Sequence, residues 1–168
     1  MQIEREDLKS RLYRFAFNIW PCFFGTGATV TYIAHDFSFI RVRLRLNWRT
    51  RNRVGTIFGG SMYASTDPFF MIQLMAILGK EYVVWDKAAA IRFRKPGEGE
   101  LFVEFHVGPD RIAEVKEKVE LNGEHDFVWR AELRDAAGRV YAEIDKTLYV
   151  AKREVYERKK AARAARQQ

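Results

Sequence analysis

The chain has 168 residues, enough for one domain and too few for two of ordinary size. Hydrophobic residues make up 48% of it and aromatic residues 14%, which supports a packed core and excludes a wholly disordered chain. A single cysteine, Cys22, excludes an intramolecular disulfide framework and a multi-cysteine zinc site. We expect Cys22 to be a buried small hydrophobe, and we expect no metal and no redox cofactor.

The formal net charge of +7 is concentrated near the C-terminus. Residues 152–168 contain seven basic and two acidic residues, so they carry +5, and the other 151 residues carry only +2. A basic run of this kind is usually a solvated helix, and the nearly balanced body gives no reason to expect nucleic-acid binding. Contact of this tail with RNA or an anionic membrane is the alternative interpretation.

The chain also lacks the patterns of a secreted or membrane-spanning protein. Its first ten residues are polar and charged, with no apolar region behind a basic start. The longest apolar stretch, 69–78, covers about half of a membrane span and contains Gln73. We therefore expect a cytoplasmic protein without stable membrane insertion.

The N-terminal part predicts a helix followed by two strands. Residues 4–19 carry apolar side chains at near-helical spacing and predict an amphipathic helix that Pro21 ends. The apolar residues with this spacing are Leu8, Leu12, Phe15 and Ile19. Residues 29–33 are short and β-branched, and residues 37–46 alternate apolar side chains with arginines, so both predict strands.

The rest of the chain predicts one buried helix and further strands. Residues 61–79 are apolar almost all round, which is typical of a long helix buried on every side, and Gly79 would end it. Residues 109–123 fit either a short helix capped by Asp110 or another strand. Strands are predicted over 82–95, 101–107, 126–134 and 139–150.

These elements predict an α+β fold. Helical and strand segments do not alternate strictly, so a doubly wound parallel sheet is disfavoured. The arrangement that fits best is an antiparallel sheet of about five or six strands wrapped around one long central helix, with helical extensions at both ends of the chain.

The segment from Asn52 to Asp67 carries the pattern with chemical meaning. Gly59 and Gly60 would place backbone N–H groups at the N-terminus of the predicted central helix, where they can bind an anion or polarise a carbonyl oxygen. Asp67 lies seven residues beyond Gly60, about two helical turns, and so on roughly the same face. A carboxylate beside a carbonyl-polarising helix start predicts a hydrolytic site.

Structural interpretations stay open beside this one. Asp67 followed by Pro68 is also typical of a helix start, with Asp67 as the N-cap, and the glycine pair also fits a plain turn. Residues 85–87 fit an edge-strand ion pair or the lining of a substrate channel. Arginines on two strands fit solvated sheet faces or a set that holds coenzyme A phosphates. These are Arg41, Arg43, Arg45, Arg92 and Arg94.

The spacing in this segment resembles that of the hot-dog-fold acyl-CoA thioesterases of the phenylacetate-pathway type. Their pattern is Asn, Gly three residues later, then His-Gly-Gly, then an acid seven residues past the second Gly. The matching residues here are Asn52, Gly55, Gly59, Gly60 and Asp67, with Phe58 in the place of His. The stretch YVVWDKAAAIRFRKPGEG is more similar still to an uncharacterised bacterial hot-dog family.

The resemblance covers residues 25–150 as one hot-dog domain, with residues 1–24 as an N-terminal helical extension and 151–168 as a basic helical tail. It implies hydrolysis of an acyl-CoA or related acyl thioester at a site between two subunits of a homodimer or a dimer of dimers. Asp67 would act as general base or nucleophile, and the Gly60 N–H would polarise the carbonyl. Asn52 and Gly55 would shape the loop before the helix. The residues expected at the substrate are Asn52, Gly55, Phe58, Gly59 and Trp85.

A non-catalytic module that binds acyl chains or acyl-CoA is the alternative function. Phe58 motivates it, because a phenyl ring stands where the resembled enzymes carry a polar imidazole.

Overall fold

The computed structural model describes residues 6–166. The helices are α1 (Leu8–Ile19), α2 (Pro21–Phe24), α3 (Gly59–Ala64), α4 (Phe69–Leu78), α5 (Pro109–Asn122) and α6 (Arg153–Ala165). The strands are β1 (Ala28–Ile33), β2 (Phe39–Arg45), β3 (Tyr82–Phe93), β4 (Glu100–His106), β5 (Glu124–Arg134) and β6 (Val140–Lys152).

The six strands form one antiparallel sheet in the order β1-β2-β4-β5-β6-β3. The sheet packs its apolar face against α4. Phe70 of α4 contacts the rings of Phe105 on β4 and Trp129 on β5, with ring centroids 5.0 and 5.3 Å apart. This arrangement confirms the predicted α+β class.

The predicted central helix is broken in two, and this corrects the continuous helix expected over 61–79. Helix α3 ends at Ala64, and α4 begins at Phe69. The hydroxyls of Ser65 and Thr66 donate to the carbonyls of Met62 and Tyr63, and Pro68 has no N–H to continue the helical pattern. Asp67 therefore lies in a turn between two helices.

Gln73 interrupts the apolar sequence of α4 for a structural reason. Its side chain is fully buried, and its Nε2 donates to the carbonyls of Phe37 and Phe105 at 2.7 and 3.2 Å. Phe37 has a φ of +60°, a backbone conformation that few bulky residues adopt. The glutamine amide thus supplies donors to a loop and a strand that meet over the helix.

Helix α1 presents its apolar stripe outward. The predicted amphipathic residues are all more than half exposed, and the helix packs on β1 through its other face. The exposed residues are Leu8, Leu12, Phe15 and Ile19. On the inner face, Asn18 bonds both backbone groups of Val30, and Phe17 contacts Phe69 of α4.

Residues 109–122 form a helix, which resolves the helix-or-strand alternative. Its N-cap is Gly108, so the predicted cap at Asp110 is wrong, and Asp110 lies in the first turn. There its carboxylate faces the positive end of the helix dipole. Gly123 ends the helix with a φ of +77°, which its lack of a side chain allows.

Candidate active site

Asp67 lies at the rim of an apolar pocket between the N-terminal helices and α4. The pocket has a volume of about 430 Å³, within the range of about 300–1,000 Å³ typical of small-molecule sites. Aromatic rings and small side chains form most of its wall, and Asp67 is its charged member. The lining residues are Tyr13, Ala16, Phe17, Trp20, Cys22, Phe23, Thr26, Ala64, Asp67 and Pro68.

Asp67 is not a helix cap, and this rules out its structural interpretation as one. Helix α4 begins after Pro68 and has no side-chain hydrogen bond at its N-cap. The Asp67 carboxylate instead accepts a hydrogen bond from Lys146 of β6, with Oδ1 2.6 Å from Nζ. Its side chain is 49% exposed, so the carboxylate has solvent and the pocket on one side and a buried cation on the other.

Lys146 also contacts a second carboxylate, that of Asp86 on β3. Its Nζ lies 2.9 Å from Asp86 Oδ2 in an ion pair without hydrogen-bond alignment, so both Asp86 oxygens are buried without a hydrogen-bond partner. Burial raises the pKa of Asp86, and the neighbouring Asp67 carboxylate adds to that effect, against the opposing influence of Lys146. Burial lowers the pKa of Lys146, but the two carboxylates outweigh burial and raise it.

The loop before α3 is shaped by Asn52, as the resemblance implies. Its side-chain Oδ1 accepts from the backbone N–H groups of Val54 and Thr56 at 3.1 and 3.0 Å, and its Nδ2 donates to Thr56 Oγ1. Gly55 completes the turn with a φ of +90°, which favours glycine. Asn52 and Gly55 are therefore placed to hold the loop.

The glycine pair begins α3, with Phe58 as its N-cap residue. A side chain at Gly60 would lie 2.2 Å from the Phe58 ring, and one at Gly59 would lie 2.9 Å from the ring of Phe93. The absence of side chains here lets two aromatic rings approach the backbone closely. Phe58 itself is 57% exposed.

Gly60 and Asp67 do not line one cavity of the protomer. Gly59 borders a separate depression formed with Thr56, Ile57 and Phe93, and the pocket at Asp67 begins only at Ala64. The spacing of Gly60 and Asp67 predicts that both residues lie on one helix face, and this is wrong because the helix ends between them. Joint action of the two at a site between subunits stays a prediction.

Trp85 also lies away from Asp67. It borders a groove with Tyr149 and Tyr156 on the side of α6. Its neighbours Asp86 and Lys87 both form ion pairs, but with other residues. Asp86 pairs with Lys146, and Lys87 pairs with Asp126 at 2.5 Å. A role for Trp85 at a substrate stays a prediction.

The strand arginines form ion pairs across the outer face of the sheet. Arg41 pairs with Glu104, and Arg92 pairs with Asp145 at 2.7 Å. Arg94 pairs with Glu143 at 2.8 Å. These contacts support the interpretation as a solvated sheet face.

Cys22 is exposed and lies in the wall of the apolar pocket, which corrects the expectation that it is buried. Proline at position 21 begins the short helix α2 and turns the chain, so that Phe23 packs inward against Phe69 and its neighbour Cys22 faces outward.

Residues 6–166 lack two further features. Within them, no group of three or more His, Cys, Asp or Glu side chains is arranged to hold a metal ion. No helix in that range is long and apolar enough to cross a membrane.

Two contributions to this site were missed at the level of sequence. Lys146 follows the alternation of β6, in which the inward residues are Ala142, Ile144, Leu148 and Val150. The same alternation places Lys146 on the inner face. A lysine among inward apolar residues could therefore have indicated a buried charge from the sequence. Nothing in the sequence indicated that α1 forms part of the pocket wall, because the apolar residues at helical spacing lie on the outer face of α1.

The architecture is shared with solved bacterial structures at low sequence identity. A Pseudomonas aeruginosa protein described as a probable thioesterase superposes with a TM-score of 0.74 at 18% identity, over 89% of this chain and 99% of that one. A Haemophilus influenzae thioesterase gives a TM-score of 0.60 at 14% identity, over 89% and 93%. The PaaI protein of the Escherichia coli phenylacetic acid degradation operon gives 0.55 at 14%, over 84% and 91%.

These likenesses establish the hot-dog fold. No protein of curated function matches the chain at a significant level. A family profile described as a domain of unknown function, DUF4442, matches residues 9–150. The chain therefore belongs to the DUF4442 family and has the hot-dog fold of the thioesterases that it resembles.

Proposed function

We propose that this protein hydrolyses an acyl thioester of coenzyme A, with Asp67 as the general base. The observation that carries the proposal is the position of one half-exposed carboxylate at the rim of a 430 Å³ apolar pocket. Such a pocket suits an apolar acyl group, and a carboxylate at its rim would lie beside the thioester carbonyl. The thioesterases among the structures with the same fold support this reaction class.

The reaction needs one proton acceptor and balances without a cofactor. Asp67 accepts a proton from water while the water oxygen bonds to the carbonyl carbon. The carbon–sulfur bond then breaks, the thiolate leaves, and the proton held by Asp67 passes to the sulfur. The products are a carboxylic acid and free coenzyme A.

The carbonyl oxygen gains negative charge during this attack and needs a donor. The Gly60 backbone N–H, in the first turn of α3, is the candidate from the sequence motif. Because Gly60 does not line the pocket at Asp67, we propose that Gly60 acts from the second protomer of a homodimer. A cytoplasmic location belongs to the same proposal.

The test compares wild type with Asp67→Asn on coenzyme A thioesters from acetyl to palmitoyl, with phenylacetyl and benzoyl included. Removal of a general base lowers kcat/KM by about 100- to 10,000-fold, so we expect a loss of that order on the best substrate. Release of free thiol measures the rate. Asp110→Asn, a change in an exposed helix turn, serves as the matched control and should keep wild-type turnover. Equal rates for wild type and Asp67→Asn would remove Asp67 from the reaction.

The pocket makes a separate prediction about the acyl group. Ala16→Leu adds bulk to the pocket wall from α1, so it should raise KM for the longest accepted acyl chain by about tenfold and change KM for acetyl little. Leu12→Ala, on the exposed face of the same helix, is the control. An unchanged chain-length preference in Ala16→Leu would show that the acyl group binds elsewhere.

The second candidate function is binding of acyl-CoA without hydrolysis. Phe58 favours it, because its ring lies against Gly60 and supplies no polar group to the substrate. Calorimetry with an acyl-CoA together with a thiol-release assay separates the two functions. Tight binding with no thiol release, in wild type, would establish the binding module.

A further inference from the structure

Lys146 is a charged residue at a position of β6 where the neighbouring inward side chains are apolar. It lies on the inner face of β6, with Trp129 of β5 and Ala89 of β3 as its register partners. Its side chain is only 1% exposed. A buried ion pair is often no more stabilising than apolar side chains of similar volume, so stability alone gives weak reason for a lysine here.

The ammonium group is held from three directions. Asp67 Oδ1 is 2.6 Å away, Asp86 Oδ2 is 2.9 Å away, and the ring centroid of Tyr63 is 5.7 Å away. A lysine bound in this way has little freedom to change its rotamer. The carboxylate hydrogen-bonded to it is restrained in turn, although Asp67 itself lies in a turn between two short helices.

Asp86 allows the lysine to remain charged in the core. Its carboxyl group is buried, and the ion pair with Lys146 is its polar contact among the described residues. A single half-exposed partner, Asp67, would leave one side of the ammonium without a counter-charge. The three residues thus connect a buried carboxyl on β3 and a lysine on β6 to the exposed carboxylate at the pocket.

We propose that Lys146 is a positioning residue for Asp67, with Asp86 as its buried counter-charge. This inference rests on the proposed hydrolysis. Lys146 holds one oxygen of the Asp67 carboxylate so that the group stays at the rim of the pocket, in reach of the attacking water. A carboxylate in a turn would otherwise sample several rotamers, and a displacement of about 1 Å can lower a rate about 100-fold.

The test uses a paired change, Asp86→Asn/Lys146→Met, because it leaves no unpaired charge in the core. We expect this variant to fold and its kcat to fall by about 10- to 100-fold, with KM changed by less than about threefold. A purely structural lysine would leave kcat of the folded variant unchanged. Lys118→Met is the matched control, since Lys118 is exposed on α5 and pairs with Glu114.

Thermal unfolding and binding of a non-hydrolysable thioether analogue are measured beside turnover for each variant. Wild-type kcat in the folded paired variant would overturn the positioning role. Weaker binding of the thioether analogue with an unchanged kcat would also overturn the positioning role. If Asp67→Asn itself has wild-type turnover, the proposed function fails, whereas a slow Asp67→Asn beside a fast paired variant contradicts only the role of Lys146.

Discussion

At the residue scale, Asp86 and Lys146 give the protein a pH-dependent stability that one substitution should expose. Lys146→Met leaves the buried Asp86 carboxyl without its cation, so burial raises its pKa further. A carboxyl whose folded pKa lies above its ordinary value of 3.8 binds its proton more tightly in the folded state. Stability then falls as pH rises from about 4 through the raised pKa.

The measurement is the midpoint of thermal unfolding for wild type and Lys146→Met at about pH 4 and about pH 8. We expect the deficit of the variant to be smaller at the lower pH and to widen at the higher one. Asp86→Asn/Lys146→Met, which lacks the ionisable carboxyl, should show no such widening. A deficit of Lys146→Met that narrows with rising pH would contradict the assignment.

The residues of the site differed in how far the sequence could predict them. Asn52, Gly55 and Asp67 were found because their spacing resembles a known motif, and the structure gives Asn52 and Gly55 the loop contacts that the motif implies. Lys146 was not found, and Asp86 was considered only within the possible ion pair of residues 85–87, because the pairing of Asp86 with Lys146 joins two strands at distant positions in the chain. Alternation along β6 could reveal that the lysine faces inward, but its partners require the fold.

At the scale of elements, β6 is joined to both neighbouring strands by Asp145. Its two carboxylate oxygens accept from Arg130 on β5 and Arg92 on β3, each at 2.7 Å, and these bonds lower the pKa of Asp145 to about 2. A carboxylate with a lowered folded pKa stabilises the protein above its ordinary pKa. That contribution is lost as pH falls from about 4 to about 2.

We therefore expect Asp145→Asn to lower the unfolding midpoint by about 2–4 °C at about pH 7 and by much less at about pH 2. Differential scanning calorimetry at both pH values measures this. Glu117→Gln is the control, because Glu117 is exposed in the middle of α5, away from the ends of the helix dipole. An equal effect of Asp145→Asn at both pH values would show that its charge contributes nothing.

The elements themselves followed from local pattern wherever that pattern was unambiguous. The six strands were predicted because each alternates or is β-branched, and all six are present. The continuous helix over 61–79 was wrong, because the apolar run continues on both sides of Asp67 and Pro68. The alternative of a new helix start at this pair was right about the start of α4 and wrong about Asp67 as its cap. The buried face of α1 could not be predicted, because helical spacing identifies an apolar stripe but does not show which face of the helix another element covers.

At the scale of the whole molecule, the two edges of the sheet differ. The β1 edge is occupied by side chains, since Asn18 bonds Val30 and Glu6 accepts from the Ile33 N–H at 2.9 Å. Strand β3 forms the opposite edge, and the small side chains of residues 88–90 are exposed there. A long exposed edge is suited to pair with a second chain, so we propose β3 as the dimer contact.

Ala88→Lys places a charge at this edge, on the face opposite to Lys146, and should shift the protein from dimer to monomer in size-exclusion chromatography with light scattering. Turnover should fall with it, because Gly60 is proposed to act across the dimer. Val128→Lys, at an exposed position of an inner strand, is the control and should keep the dimer. A monomeric wild type that hydrolyses thioesters would remove both the interface and the shared site.

Single-turnover release of coenzyme A shows whether the Asp67 carboxylate at the pocket performs the hydrolysis. Wild type and Asp67→Asn are first matched for binding of the thioether analogue, and each is then mixed in excess with the preferred acyl-CoA. We expect equal binding and a release rate at least about 100-fold slower in Asp67→Asn. Equal release rates in the two proteins, or no release by wild type despite tight binding, would contradict it.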